Sequence, residues 1–311
     1  MNTILEISNL AKNFGNVQAL KGISFSINEN EFYGLLGPNG AGKTTTINII
    51  STILQPDLGY VKINGFDLKK DPLNCKKMIG VVPQEIALYN ELSAYENLLF
   101  WGGLYKLPSD TLKSKIDEAL ELMGLTERKN DRIKTYSGGM KRRINIASAL
   151  LHSPKILLMD EPTVGIDPQS RNLIFEVLEE LHKKGMTIVY TTHYMEEAER
   201  LCNRIGIIDH GEIIAEGTLN ELRNSTNADE SIIFHFEKPI ENRIGELMKG
   251  FNNIINASEN SVTFSSKSSG KELPQILMQI NQLGLDVQQI EIIKVNLETI
   301  FLNLTGRKLR D

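Results

Sequence analysis

The sequence predicts an α/β domain followed by a smaller α+β domain. Three observations carry this. Over the first two-thirds of the chain, short apolar strand-like runs alternate with helix-period segments. One of these runs passes through a glycine-rich turn directly into a helix. A polar stretch of Asn, Ser, Thr, Ala and Asp at residues 224–229 then marks a boundary, and the element order changes beyond it.

Taken in order, residues 23–27 alternate apolar and polar side chains, as a half-buried strand does. Residues 31–36 read as a short apolar strand and 43–53 as a helix. Residues 79–82 form a strand that ends at Pro83. Helical periodicity over 94–123 breaks around Pro108-Ser109-Asp110, where Ser109 or Asp110 can cap a second helix. Residues 155–159 and 187–191 read as buried strands, with a helix over 169–184 between them. Past the boundary, strands are expected at 231–236, 253–257, 262–265 and 287–293, and helices at 240–249 and 273–283. That order, βαββαβ, is the ferredoxin-like split pattern. A last helix covers 297–304. The expected domains are residues 1–225, with a helical subdomain over about 88–144, and 230–311.

Composition narrows the function classes. The chain has 311 residues, 41% hydrophobic and 23% charged, so either domain can bury a core. The formal net charge of -5 argues against a nucleic-acid partner, because duplex binders carry a basic balance. Cys75 and Cys202 provide neither a metal spacing nor a disulfide framework, which fits a reducing cytosol. The first residues lack a basic region followed by an apolar core, so no signal peptide is expected. No apolar run reaches the roughly 18 residues needed to cross a bilayer. Any membrane part is therefore expected from another chain.

The strongest chemical signal is Gly37-Pro38-Asn39-Gly40-Ala41-Gly42-Lys43-Thr44, set between a strand and a helix. Its glycines let successive N–H groups turn inward as a nest for anionic oxygens. The following helix points its positive end at the same place. Lys43 adds a cation for β- and γ-phosphates, the Thr44 hydroxyl suits Mg²⁺, and Thr45 can add a bond to the phosphates. A second signal is the apolar strand ending in Asp160-Glu161, at the edge of a parallel sheet where ligands bind. Asp160 fits a Mg²⁺ role and Glu161 is placed to polarise an attacking water. Alone, the two acids would equally suit a strand followed by a helix cap. Together with the phosphate loop they read as a P-loop nucleotide triphosphatase.

Tyr136-Ser137-Gly138-Gly139-Met140, opening a basic helical segment, resembles the Leu-Ser-Gly-Gly-Gln signature of ABC ATPases. A Ser and two glycines at a helix start make a second anion site, although the same pattern also serves as a plain helix start. The resemblance implies head-to-tail pairing, in which Ser137, Gly138 and Gly139 of one subunit cover ATP held by the other. Val82-Pro83-Gln84 resembles the Q-loop, which implies that Gln84 reaches Mg²⁺ and the attacking water. Val164-Gly165-Ile166-Asp167 resembles the D-loop, and Thr191-Thr192-His193 the switch histidine. On residue type alone, His193 reads more readily as an ordinary helix-capping histidine, and its position in the motif order raises the switch reading. Phe14 fits either the aromatic that stacks on adenine or a core residue of the first sheet. The resemblance spans about residues 4–222. Tyr136, Met140 and Val164 depart from the usual Leu, Gln and Ser or Ala.

The ending, residues 295–306, is similar to that of ATP-binding subunits of ABC-2 type exporters for drugs, antibiotics and sodium. Its Leu297, Ile300, Phe301 and Leu304 also form one face of an amphipathic helix packed on its own domain. The resemblance implies ATP and Mg²⁺ as ligands and ABC-2 type transmembrane permease subunits as partners. It also implies a second copy or a paralogous cassette, and a peripheral position on the cytoplasmic face of the cell membrane. The expected cargo class is a drug, antibiotic, lipid or ion moving outward. Import is the rival direction. A ribosome- or DNA-acting ABC ATPase is the rival function, but such members usually carry two cassettes or long coiled-coil or zinc insertions. A non-hydrolysing binder conflicts with Lys43, Asp160 and Glu161.

Overall fold

The structure is a computed structural model and describes residues 2–225, 229–240, 243, 245, 247, 250, 251 and 253–305. It divides into two compact units, one running to Leu219 and the other from Asn220.

The first unit holds two sheets. One is antiparallel, with order β2-β1-β4-β5, built from β1 (Thr3–Phe14), β2 (Val17–Asn28), β4 (Leu58–Ile63) and β5 (Phe66–Asp67). The other has the order β10-β9-β3-β8-β7-β6. It contains β3 (Phe32–Leu36), β6 (Ile79–Val82), β7 (Ile156–Asp160), β8 (Thr187–Thr192), β9 (Arg204–Asp209) and β10 (Glu212–Gly217). All its neighbours pair in parallel except β9 with β10. Strands β3, β7 and β8 are buried along their whole length, as befits parallel strands covered on both faces.

Alternation along β7 feeds two cores. Leu157 and Met159 join a cluster with the helices α3 (Ala94–Gly103), α4 (Ser109–Leu122), α5 (Gly138–Leu150) and α6 (Pro168–Lys183). Ile156 and Leu158 face the other way, into a cluster with the antiparallel sheet. Because the strands run parallel, the chain leaves β3, β6, β7 and β8 at one edge. The glycine-rich loop, Gln84, the two acids and His193 all follow those strand ends.

Several sequence expectations shift. The helix after the glycine-rich loop, α1 (Lys43–Ile50), stops before residue 53: Ser51 leaves helical geometry and Thr52 has φ 65°. Neither Ser109 nor Asp110 caps α4. Pro108 holds the N-cap position without a side-chain bond, and Asp110 instead lies in the first turn, where its charge suits the helix dipole. Helix α3 has a full capping box between Ser93 and Glu96. Strands β1, β4, β5, β9 and β10 and helices α2 (Pro72–Met78), α7 (Met195–Leu201) and α8 (Leu219–Ser225) carry no element in the sequence reading.

The second unit forms an antiparallel sheet of order β12-β13-β11-β14, from β11 (Glu230–Phe236), β12 (Ile254–Ala257), β13 (Ser261–Ser266) and β14 (Val287–Ile293). This is the strand order of the ferredoxin-like pattern. Of the helix expected over 240–249, residues 241, 242, 244, 246, 248 and 249 lie outside the described residues, as do 306–311 of the expected second domain. Helix α9 (Ser269–Gln282) starts earlier than expected and covers Phe234 and Phe264, whose rings meet edge to face at 5.5 Å. Helix α10 (Leu297–Thr305) buries Leu297, Ile300 and Phe301, but Leu304 is 39% exposed, so the expected apolar face is one residue shorter.

Helix α5 lies directly on β6. A Cβ on Gly80 would sit 2.3 Å from the Ala149 carbonyl oxygen. Gly80→Ala should therefore destabilise the chain by an overpacking cost of about 1–3 kcal/mol, seen as a lower urea midpoint with the slope unchanged. An unaltered midpoint would mean that α5 is free to shift on the sheet.

Candidate active site

The loop between β3 and α1 admits no side chain at its two ends. A Cβ on Gly37 would lie 2.2 Å from the Ile208 carbonyl oxygen, and one on Gly42 would meet Leu20 and the Ala19 carbonyl at 2.7 and 2.8 Å. Gly40 and Gly42 have φ of 80° and 113°, which favour glycine. The loop is stitched in place by hydrogen bonds from Ala41 N–H to the Pro38 carbonyl and from Gly211 N–H to the Ala41 carbonyl. Gly42 is the N-cap of α1 and supplies no side-chain acceptor. The first N–H groups of the helix, at Lys43, Thr44 and Thr45, therefore point outward with no intrahelical acceptor.

Lys43 is only 4% exposed. Its Nζ donates to the Gly37 and Pro38 carbonyls at 2.7 and 3.0 Å and lies 2.9 Å from Glu161 Oε1. The other Glu161 oxygen, Oε2, accepts from Gln84 Nε2 at 3.4 Å. His193 Nδ1 is 3.2 Å from Glu161 Oε1, close enough for charge attraction but without hydrogen-bond alignment. Burial raises the Glu161 carboxyl, but the Lys43 bond and charge, together with His193, outweigh it and hold the group below its ordinary value of 4.5. Asp160, one residue earlier, goes the other way. Burial pushes it up and the neighbouring Glu161 charge adds to that, while bonds from Thr191 and Thr44 and the charge of Lys43 pull against it.

Strand register explains these meetings. Asp160 pairs across from Thr191, and Leu36 from Thr192. Thr191 Oγ1 donates to Asp160 Oδ1 at 2.7 Å and accepts from the Glu161 N–H at 3.0 Å. The Glu161 backbone is left-handed, with φ 43°, a strained conformation for a glutamate.

A cavity of about 380 Å³ opens here, lined among others by Phe14, Asn39, Gly40, Lys43, Thr44, Thr45, Gln84 and Glu161. Phe14 is 48% exposed, so it is not a core residue of the first sheet. Ala41 is buried beneath the loop. The remaining sequence-selected residues gather elsewhere. Ser137 caps α5, accepting from the Met140 N–H at 3.2 Å. A Cβ on Gly139 would collide with Ser170, and one on Gly138 would touch Ile166. Asp167 caps α6 by accepting from the Ser170 N–H at 2.9 Å, a bond that lowers its pKa. None of these four lines the cavity of its own chain.

With this geometry in view, comparison with known proteins is direct. The sequence pattern of the ABC transporter family matches residues 20–164. The linearmycin resistance ATP-binding protein LnrL of Bacillus subtilis is 46% identical over 99% of this chain and 100% of its own length. The chain belongs to the family of ABC transporter ATP-binding proteins. The Nod factor export ATP-binding protein I of Ralstonia nicotianae is 34% identical over 99% of this chain and 95% of its own. Among solved structures, an ATP-binding subunit of an ABC transporter superposes with a TM-score of 0.65 at 31% identity, covering 71% of this chain and 92% of that one. The cassette is thus an ATP-binding ATPase subunit that pairs and works with transmembrane partners. Among the described residues, no helix is long and apolar enough to cross a membrane.

The departures from the family pattern have local reasons. Tyr136, in place of Leu, is buried and donates its hydroxyl to the Arg128 carbonyl at 2.7 Å, and Met140 packs against the helical core. Sequence reasoning missed Thr191 as an organiser of both acids, since a threonine at a strand end reads as ordinary β propensity. It also missed Glu197 of α7, a buried carboxylate that accepts from Thr163, Tyr190 and Thr192 at 2.7, 2.9 and 2.8 Å.

Thr191→Val keeps the volume of the side chain and loses both bonds. The Glu161 N–H keeps the Thr191 carbonyl, but leaving the buried Asp160 carboxylate short of a donor should cost about 1–3 kcal/mol, read from urea unfolding; equal midpoints for the two proteins would refute the organising role. The Glu161 shift sets a pH signature. Because its folded pKa is depressed, the ion pair contributes fully above the unfolded carboxylate range and is lost as pH falls through the folded value. The stability gap between wild type and Glu161→Gln should therefore be widest near neutral pH and close on acidification. A gap that stayed constant or widened in acid would contradict this.

Proposed function

We propose that this cassette hydrolyses ATP with Glu161 as general base and drives export through separate ABC-2 type permease subunits at the cytoplasmic face of the cell membrane. The observation that carries the reading is the convergence of Lys43, Gln84 and His193 on the Glu161 carboxylate at the mouth of the glycine-rich loop. The cradle fits a triphosphate. Its glycines leave room that a Cβ would fill, its helix N-terminus offers unpaired N–H groups, and its buried cation is within reach. Phe14 borders the same cavity and is free to stack on adenine.

Thr44, Asp160 and Gln84 supply the hard oxygen donors that suit Mg²⁺ when phosphate oxygens complete the shell. When bound there, the ion would neutralise charge on the β- and γ-phosphates. Lys43 turns from Glu161 to those phosphates, and the released carboxylate accepts a proton from water. The water oxygen bonds to the γ-phosphorus as the bond to the β-phosphate bridging oxygen breaks, giving ADP and phosphate. His193 holds the carboxylate and the γ-phosphate in register. Ser137, Gly138 and Gly139 of a second copy, or of a paralogous cassette, cover the γ-phosphate from the opposite side, with Asp167 beside them.

Relatives named for linearmycin resistance and Nod factor export support the outward direction of transport. The second unit, whose sequence carries no phosphate loop, is assigned to pairing or regulation.

Lys43→Ala should abolish tight ATP binding or turnover in the assembled transporter. Glu161→Gln keeps the size of the side chain but cannot take a proton, so turnover should fall about 10²- to 10⁴-fold while ATP still binds. With Mg-ATP, size-exclusion chromatography should then show a persistent dimer, because a ligand that favours the closed pair is no longer consumed. Adding Ser137→Arg should dissolve it. Wild-type turnover in Glu161→Gln would remove the base assignment, and a dimer that survives Ser137→Arg would remove the head-to-tail arrangement.

A further inference from the structure

Arg142 lies in α5 just behind Ser137 and is 2% exposed. Its Nη1 donates to the Pro83 carbonyl at 2.6 Å, and its Nη2 donates to the Gln84 carbonyl. Its Nε is buried without a hydrogen-bond partner. Among the described residues, no carboxylate comes within ion-pair distance of it; Asp160 acts on it only through the longer-range field. Burial draws the guanidinium down to about 10.

In stability terms this is a poor arrangement. A buried charge answered only by carbonyls, with one N–H unpaired, costs more than an apolar side chain of the same volume. The arginine does supply geometry. Its planar fork grips two successive carbonyls, which fixes the peptide plane from which the Gln84 side chain departs. That side chain is the one that touches Glu161 Oε2. The other end of the arginine hangs from the helix that Ser137 caps and that Gly138 and Gly139 begin.

We propose that Arg142 is a positioning residue: it sets Gln84 against Glu161 and transmits to it any displacement of the head of α5. In the dimer, Ser137–Gly139 serve the partner's ATP while Gln84 serves the chain's own. One side chain thus joins the two sites of the pair, so that each responds to the occupancy of the other. This second step rests on the head-to-tail reading above.

The test uses the full chain assembled with its membrane partner, and the variants Arg142→Met and Arg142→Lys. Turnover is measured against ATP concentration, with ATP affinity measured separately by equilibrium binding. Arg142→Met should lower kcat about 10- to 100-fold, the scale of a small misplacement at a catalytic group. ATP affinity should stay within about 3-fold, since the residues of the cradle itself are untouched, and the Hill coefficient should fall toward one. Arg142→Lys, which keeps the charge and one donor, should recover part of kcat. If Arg142→Met does not fold, the lysine variant carries the test, with an intermediate kcat and unchanged affinity expected. Unchanged kcat in a folded variant overturns the proposal, as does a loss of ATP affinity that parallels loss of stability. Reduced kcat with wild-type cooperativity overturns the link between sites. Whether the head-to-tail reading itself fails is read independently, from the Ser137→Arg dimer assay.

Discussion

The ion pair between Lys43 and Glu161, 2.9 Å apart and almost wholly buried, is the constraint around which the cassette is arranged. Two opposite charges withdrawn from water pay a desolvation penalty that only close, well-bonded geometry offsets. The fold meets that demand by placing β8 between β3 and β7 in parallel, which delivers both groups to one sheet edge. The remaining bonds of each partner are then supplied locally: loop carbonyls for Lys43, Gln84 for Glu161, and Thr191 for the backbone and the neighbouring acid.

Around this pair the cassette keeps two chemically distinct surfaces apart. The cavity side gathers a cation, two acids and a helix N-terminus. The Ser137 side gathers a cap, two glycines packed near Ser170 and Ile166, and Asp167, none of which lines the cavity. On the proposed reading, a single chain carries both halves of a phosphate clamp but does not bring them together. Arg142 spans the interior between them, from α5 to the loop after β6.

What the sequence revealed follows from how local the encoding is. The glycine-rich loop was legible because residue type, spacing and strand-to-helix context are contiguous in the chain. Asp160 and Glu161 were legible because an unbroken apolar run leads into them. Thr191 and Arg142 were not. Each acts through a partner 30 or more residues away, and nothing nearby distinguishes a strand-end threonine or a basic helical residue from its neighbours. Of the first sheet only part of β2 was read, and β1 escaped for a different reason. Strand β1 departs from regular register between Ile7 and Leu10, where Asn9 has φ 50°, and this breaks the alternation that betrays a strand. In the second unit β11 and β13 alternate cleanly, and the ferredoxin-like order was readable. The caps were not, since Ser109 and Asp110 had to compete with the rigid backbone of Pro108.

The left-handed backbone at Glu161 has an evolutionary consequence. A residue held there stores on the order of 1–3 kcal/mol that glycine would release and asparagine would partly release. A mutational drift driven by robustness alone would thus be drawn toward those residues, trading the carboxylate for a more durable but inert chain. If Glu161 is the proposed base, a glutamate at this position reflects turnover favoured over durability. Degenerate cassettes, kept only to dock or to bind nucleotide, would be expected to relax at this position before any other in the sheet.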